Sequence, residues 1–184
     1  MKRLLKVMAL ALALVLALSL AGCGDEAVAE TESNYLPVTP GGSIDTTGVE
    51  GLDQTARMSC AAQDGTMYAV FNGIRDKSTD YFRPGSDTIT VVCQATSTSD
   101  SSVIPSFRLS LWMMTDDGRA QYVGDAMTLV DADGSCYTIT FSGLDTSREY
   151  KLTIGYATAT YYLNGALTVS PLATEELTSV QAEE

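Results

Sequence analysis

The sequence contains no histidine. That absence removes Ser-His and Cys-His catalysis and histidine-based metal sites before any motif is sought. Cations are scarce as well: 11 Lys+Arg stand against 23 Asp+Glu, a formal net charge of −12. Without clustered cations there is no electrostatic footprint for phosphates, which argues against a nucleic-acid role. The four cysteines form no CxxC pair, so a redox or zinc site has no support. A Gly-rich phosphate loop, a catalytic-serine motif and long amphipathic helical runs are likewise missing. At 184 residues, the chain has room for one domain and is too short for a two-lobed solute receptor.

What is present begins with an address. Lys2, Arg3 and Lys6 precede an apolar run from Val7 to Leu20, the n-region and h-region of a signal peptide. Leu20-Ala21-Gly22-Cys23 closes it. This stretch resembles the lipobox of bacterial lipoproteins, which implies cleavage after residue 22 and a covalent diacylglycerol on Cys23. The competing reading is an uncleaved transmembrane anchor, but the run is shorter than the roughly 20 apolar residues a span needs. Two acyl chains suffice for stable anchoring, so the expected location is the extracytoplasmic face of the cell membrane. Gly24 does not resemble the Asp that retains lipoproteins in an inner membrane.

Cleavage after residue 22 removes three of the 11 cations and no acids, leaving 8 bases against 23 acids, net −15. Residues 23–49 contain Pro37, Pro40, Gly41 and Gly42 and few apolar groups, so they read as the lipidated Cys and a flexible acidic linker. Its coil span is on the order of 25–30 Å. Residues 50–172 are the expected folded domain, and residues 173–184 an acidic, frayed tail. Cys60, Cys93 and Cys136 remain in the mature body, so at most one disulfide can form among them. Cys93 shares the apolar parity of Ile89, Val91 and Ala95 and reads as core; Cys136 lies off the parity of Tyr137, Ile139 and Phe141 and reads as the more exposed.

From about residue 54 to 172 the apolar residues alternate with period two between Gly, Asp and Asn turns, which predicts an antiparallel β-sandwich of about seven strands. Asp64-Gly65 predicts a hairpin between the Met58 region and Met67 to Phe71. Asp87 to Thr96 reads as a strand. Phe107, Leu109, Leu111 and Met113 face one way, and Asp116-Asp117-Gly118 turns the chain toward Ala120 to Val123. Tyr137, Ile139 and Phe141 form the next inward set, followed by a corner and then Tyr150, Leu152, Ile154 and Tyr156. The last hairpin can turn at Ala157 to Thr160 or at Asn164-Gly165: Asn-Gly chemistry favours the latter, whereas parity favours the former, with Gly165 as a bulge in a strand carrying Leu163, Leu167 and Val169.

The stretch from Phe141 through Gly143-Leu144 to Tyr150 and Ile154 resembles the E-to-F corner of fibronectin type III and related immunoglobulin-like sandwiches. The resemblance implies that Leu144 plugs the core and that the Tyr150 hydroxyl bonds back to the backbone. It departs from that pattern at Trp112, which is off the apolar parity of its strand.

Candidate ligand-binding residues follow from that departure. Trp112 and Met114 lie on the polar parity of a strand, and outward Tyr122 and Tyr162 would join them on the same sheet, with Gly155 on the neighbouring strand leaving room for a flat ring. The bland alternative is that Trp112 covers the bare backbone of Gly155 or lies under a loop. Asp125, Asp131 and Asp133 space oxygens as a calcium loop does but lack the downstream Glu of an EF-hand, and a turn explains them as well. Asp116 and Asp117 are adjacent turn residues rather than two carboxyls flanking a cleft. No catalytic residue is assigned. The expectation is a membrane-anchored binding or adhesion module for a glycan or protein ligand, with no cofactor beyond the diacylglycerol. The alternatives are an accessory subunit docking on a membrane-bound envelope complex and, third, a small hydrolase with carboxylate catalysis.

Overall fold

The computed structural model describes residues 35–98, 105–155 and 161–180. The described residues form ten strands: β1 (Val38–Pro40), β2 (Met58–Gln63), β3 (Thr66–Ile74), β4 (Asp76–Ser78), β5 (Thr88–Ser97), β6 (Ser106–Met114), β7 (Ala120–Asp131), β8 (Asp133–Ser142), β9 (Tyr150–Gly155) and β10 (Leu163–Ser170). They pair antiparallel into a six-stranded sheet, ordered β1-β8-β5-β10-β3-β2, and a four-stranded sheet, ordered β4-β9-β6-β7. The sandwich is thus all-β, as the alternation requires. Its core lies between the sheets, where Phe71, Phe82, Phe107, Phe141, Ile89 and Leu152 are fully buried.

Local chemistry explains the clearest elements. Asp64 and Gly65 both take positive φ, 53° and 70°, as the tight turn between β2 and β3 demands. Cys93 is buried in the core and Cys136 is half-buried; Cys60, Cys93 and Cys136 are all free thiols. At the corner leading into β9, Leu144 is buried and the Asp145 N–H donates to the Tyr150 hydroxyl at 2.9 Å. The corner therefore carries the chain from the six-stranded to the four-stranded sheet with its backbone donor satisfied.

Four expectations are corrected. The fold begins before residue 50: β1 pairs with β8, Leu36 packs on the core, and the Leu36 carbonyl accepts the buried Thr128 hydroxyl at 2.7 Å. The Leu36 N–H donates to the Met127 carbonyl, so this segment joins the edges of the two sheets. The region after Pro171 is also built in: Leu177 packs on the core, and Tyr81 and Thr178 form a bridge.

β7 runs to Asp131 instead of stopping near Val123. A bulge shifts its register from Trp112↔Tyr122 to Ser110↔Met127, with Asp125 at φ 59°. The bulge reverses parity, so Ala126, Thr128 and Val130 are the inward residues thereafter. That reversal breaks the period-two signal. The chain then switches sheets at buried Ala132, whose N–H donates to the Pro105 carbonyl.

Finally, β9 and β10 are not a hairpin. β9 belongs to the four-stranded sheet, whereas β10 is inserted between β5 and β3 of the other. β10 is one strand with the parity expected of it and pairs with β5 in unbroken register. The expected bulge at Gly165 is instead an extra residue on β3, where Ile74 to Phe71 faces Leu163 to Gly165 and Gly73 takes φ 59°; the expected turn at residues 157–160 lies outside the described residues. Counting β1 and β4, the strands exceed the expected seven.

Candidate functional site

Trp112 and Met114 point away from the core on β6, and register places Tyr122 of β7 directly across from Trp112. The two rings meet edge-on, with centroids 5.7 Å apart and planes at 63°. The indole N–H donates to Ser110 Oγ at 3.1 Å, so the ring leans along its own strand over Ser110, which is itself buried. Trp112 does not cover Gly155. Gly155 lies opposite Arg108, and the β9 residue beside Trp112 is Lys151. A side chain at Gly155 would meet the Asp76 carboxylate.

Tyr162 is not part of this face. It precedes β10 in the six-stranded sheet, where its N–H donates to Thr98 Oγ1 at 3.1 Å and the Arg75 guanidinium sits 4.5 Å from its ring centre. Two residues missed in the sequence extend the patch instead. Met127 and Leu129 follow the bulge in β7 and lie across from outward Ser110 and Arg108; Tyr122 is 37% and Leu129 40% exposed. Only the parity reversal at Asp125 brings them to the outer surface, and the sequence signal for it is the Gly124-Asp125 dipeptide within an alternating run.

The aspartates expected as a calcium loop are dispersed. Asp125 sits in the bulge, while from Ala126 to Asp131 the strand advances about 3.3 Å per residue. Asp131 accepts the Ser106 hydroxyl; Asp133 accepts the Ser135 N–H and the Tyr137 hydroxyl. The backbone N–H of Ser135 holds the Asp133 carboxyl below the usual carboxylate range. Among the described residues, no group of three acidic or cysteine side chains could hold a metal. Asp116 is clamped by both terminal nitrogens of Arg148 and Asp117 pairs with Arg119 at 3.5 Å. The Arg148 hydrogen bonds hold Asp116 in its charged form. Asp116 thus ties the β6–β7 turn to the corner before β9, while Asp117 pairs within the turn itself.

A second surface feature lies on the outer side of the six-stranded sheet: a cleft of about 370 Å³ between β3, β10 and β5, walled by Thr46 and Gln54 from the segment before β2. Its floor is Gly165, Ala166 and Ala95. A Cβ at Gly165 would lie 2.1 Å from the Gln94 carbonyl oxygen and 2.8 Å from the Phe71 ring, so β10 can run between β5 and β3 here only without a side chain.

Neither a family model nor a curated protein matches the sequence. Among solved structures, a CBM4 structure aligns at 12% identity and a TM-score of 0.31 over 72% of this chain and 80% of that one. The non-crystalline cellulose specific carbohydrate-binding module CBM28 aligns at 10% and 0.33 over 78% of this chain and 100% of that one. The xylan-binding module CBM15 aligns at 16% and 0.32 over 78% and 94%. At those identities and TM-scores, none of them assigns a ligand to this chain.

Proposed function

We propose that this chain is a non-catalytic binding module, acylated at Cys23 and displayed on the extracytoplasmic face of the cell membrane, whose ligand docks on the outer face of the four-stranded sheet. The observation that carries the reading is the Trp112–Tyr122 pair with Met114 beside it and Met127 and Leu129 continuing the apolar stripe. A half-buried Trp beside an exposed Tyr supplies apolar area at low conformational cost. Its indole N–H is already satisfied by Ser110, so the ring is held in place before a ligand arrives.

The 63° crossing of the rings makes an angular notch rather than a flat two-ring floor. Such a notch suits an apolar side chain of a protein ligand better than two successive sugar rings. Photo-crosslinking from position 129 in intact cells tests it: a discrete protein adduct is expected, and its loss in Trp112→Ala with an unchanged melting midpoint supports the face. An adduct indifferent to Trp112→Ala overturns it. A membrane-embedded adduct identifies the module as an accessory subunit of an envelope complex. Metabolic labelling with a fatty-acid analogue tests the anchor, and label that persists in Cys23→Ala refutes acylation there.

A further inference from the structure

The cleft on the opposite sheet is lined without a single charged or aromatic side chain, in a protein of net charge −12. Four amides line it: Gln54 is engaged at both ends by Thr46, donating from Nε2 to the carbonyl and accepting the hydroxyl on Oε1, and each of the other three is fixed at one end by backbone. Asn72 Nδ2 donates to the carbonyls of Gln54 and Ala56. Gln94 Nε2 donates to the Gly134 carbonyl at 2.7 Å. Asn164 Oδ1 accepts the Gly73 N–H at 2.8 Å. The opposite ends, Asn72 Oδ1, Gln94 Oε1 and Asn164 Nδ2, have no partner among the described residues. Two acceptors and one donor are thereby presented on rigid supports beside the Thr46 and Thr96 hydroxyls.

We propose that this cleft binds an uncharged, hydroxyl-rich ligand with the chemistry of an oligosaccharide, independently of the Trp112 face. A charged ligand would surrender hydration here with no counter-charge to receive it. An apolar ligand would leave the amide ends buried and unpaired, at about 1–3 kcal/mol each. An extended peptide cannot add as a strand, because the floor is β10, which is paired on both sides by β5 and β3. Hydroxyl groups, each both donor and acceptor, match the mixed set. The absence of a ring in the lining means that recognition is of hydroxyl edges rather than of sugar faces.

The test is titration of the mature chain with neutral hexasaccharides (maltohexaose, cellohexaose and xylohexaose) beside hexagalacturonic acid. Saturable binding of at least one neutral sugar, and weaker binding of the acid, is expected. Asn164→Asp keeps the oxygen that accepts from Gly73 and removes the free donor, and is expected to cost about tenfold in affinity. Ala166→Phe fills the floor and is expected to abolish binding, with its melting midpoint measured alongside. If none of the neutral sugars binds by about 10 mM, the proposal fails. It also fails if Asn164→Asp and a folded Ala166→Phe bind as the unaltered chain does, or if binding is lost in Trp112→Ala and kept in those two.

Discussion

Tyr150 shows how much one hydroxyl can organise. Its ring is buried and its oxygen accepts the Asp145 N–H at the corner between sheets. Tyr150→Phe leaves that donor without its partner, and a loss of about 1–2 kcal/mol is expected. At about 2–4 °C per kcal/mol for a domain of this size, a thermal melt should fall by several degrees; an unchanged midpoint would show that water replaces the bond. The thiols offer a second residue-scale check. Burial pushes both Cys60 and Cys93 up to about 12, so at pH 8 only about one molecule in ten thousand holds either as the reactive thiolate. Cys60 and Cys136 are both half-buried and Cys93 is buried, so in a Cys23→Ser chain Cys136 is expected to be alkylated first, Cys60 more slowly and Cys93 only in denaturant. Mass spectrometry of the labelled peptides gives the order.

At the scale of elements, the sharpest tests fall on Gly165 in β10 and on the N-terminal segment, β1 with Leu36, that clasps the edges of both sheets. Gly165→Ala drives a methyl into the Gln94 carbonyl and the Phe71 ring, backbone on one side and a packed core ring on the other. An overpacking cost of about 2–3 kcal/mol is expected, read as a lower urea midpoint. A chain starting at residue 50 loses β1 and Leu36, which bares the β8 edge and strips the Thr128 hydroxyl of its acceptor. Relative to a chain starting at residue 35, it should lose about 3 kcal/mol or more; equal midpoints would mean that the clasp is decorative. The alternation in β3, β5, β6, β8 and β9 was legible because each turns one row of large apolar side chains into the core at every second residue. β1 was not, since three residues containing a proline carry no periodicity. Nor was the second half of β7, because a bulge reverses the parity on which the reading depends.

For the whole molecule, the early start of the fold shortens the stretch between the body and the acylation proposed at Cys23. With β1 and Leu36 built into the sandwich, only Gly24 to Asn34 separate the body from an acylated Cys23. Fully extended, that stretch spans no more than about 40 Å. Neutron reflectometry of the lipidated protein on a supported bilayer should therefore find the domain boundary within that distance of the headgroups, and a larger gap would contradict the acylation site. The stretch between β1 and β2 supplies Thr46 and Gln54 to the cleft wall, so residues whose composition reads as linker instead shape a candidate site.

The sequence alone determined the all-β class, the Asp64-Gly65 hairpin, the corner at Tyr150 and the outward placement of Trp112, because each of these depends on residues near one another in the chain. Which surfaces converge was decided only by the tertiary structure. Sheet membership separates Tyr162 from Trp112, the β7 bulge adds Met127 and Leu129, and the insertion of β10 between β5 and β3 gathers Asn72, Gln94 and Asn164 around one cleft. Side-chain parity is a local property of the backbone; the order of strands in a sheet is set by long-range burial of the whole core, which no window of the sequence contains.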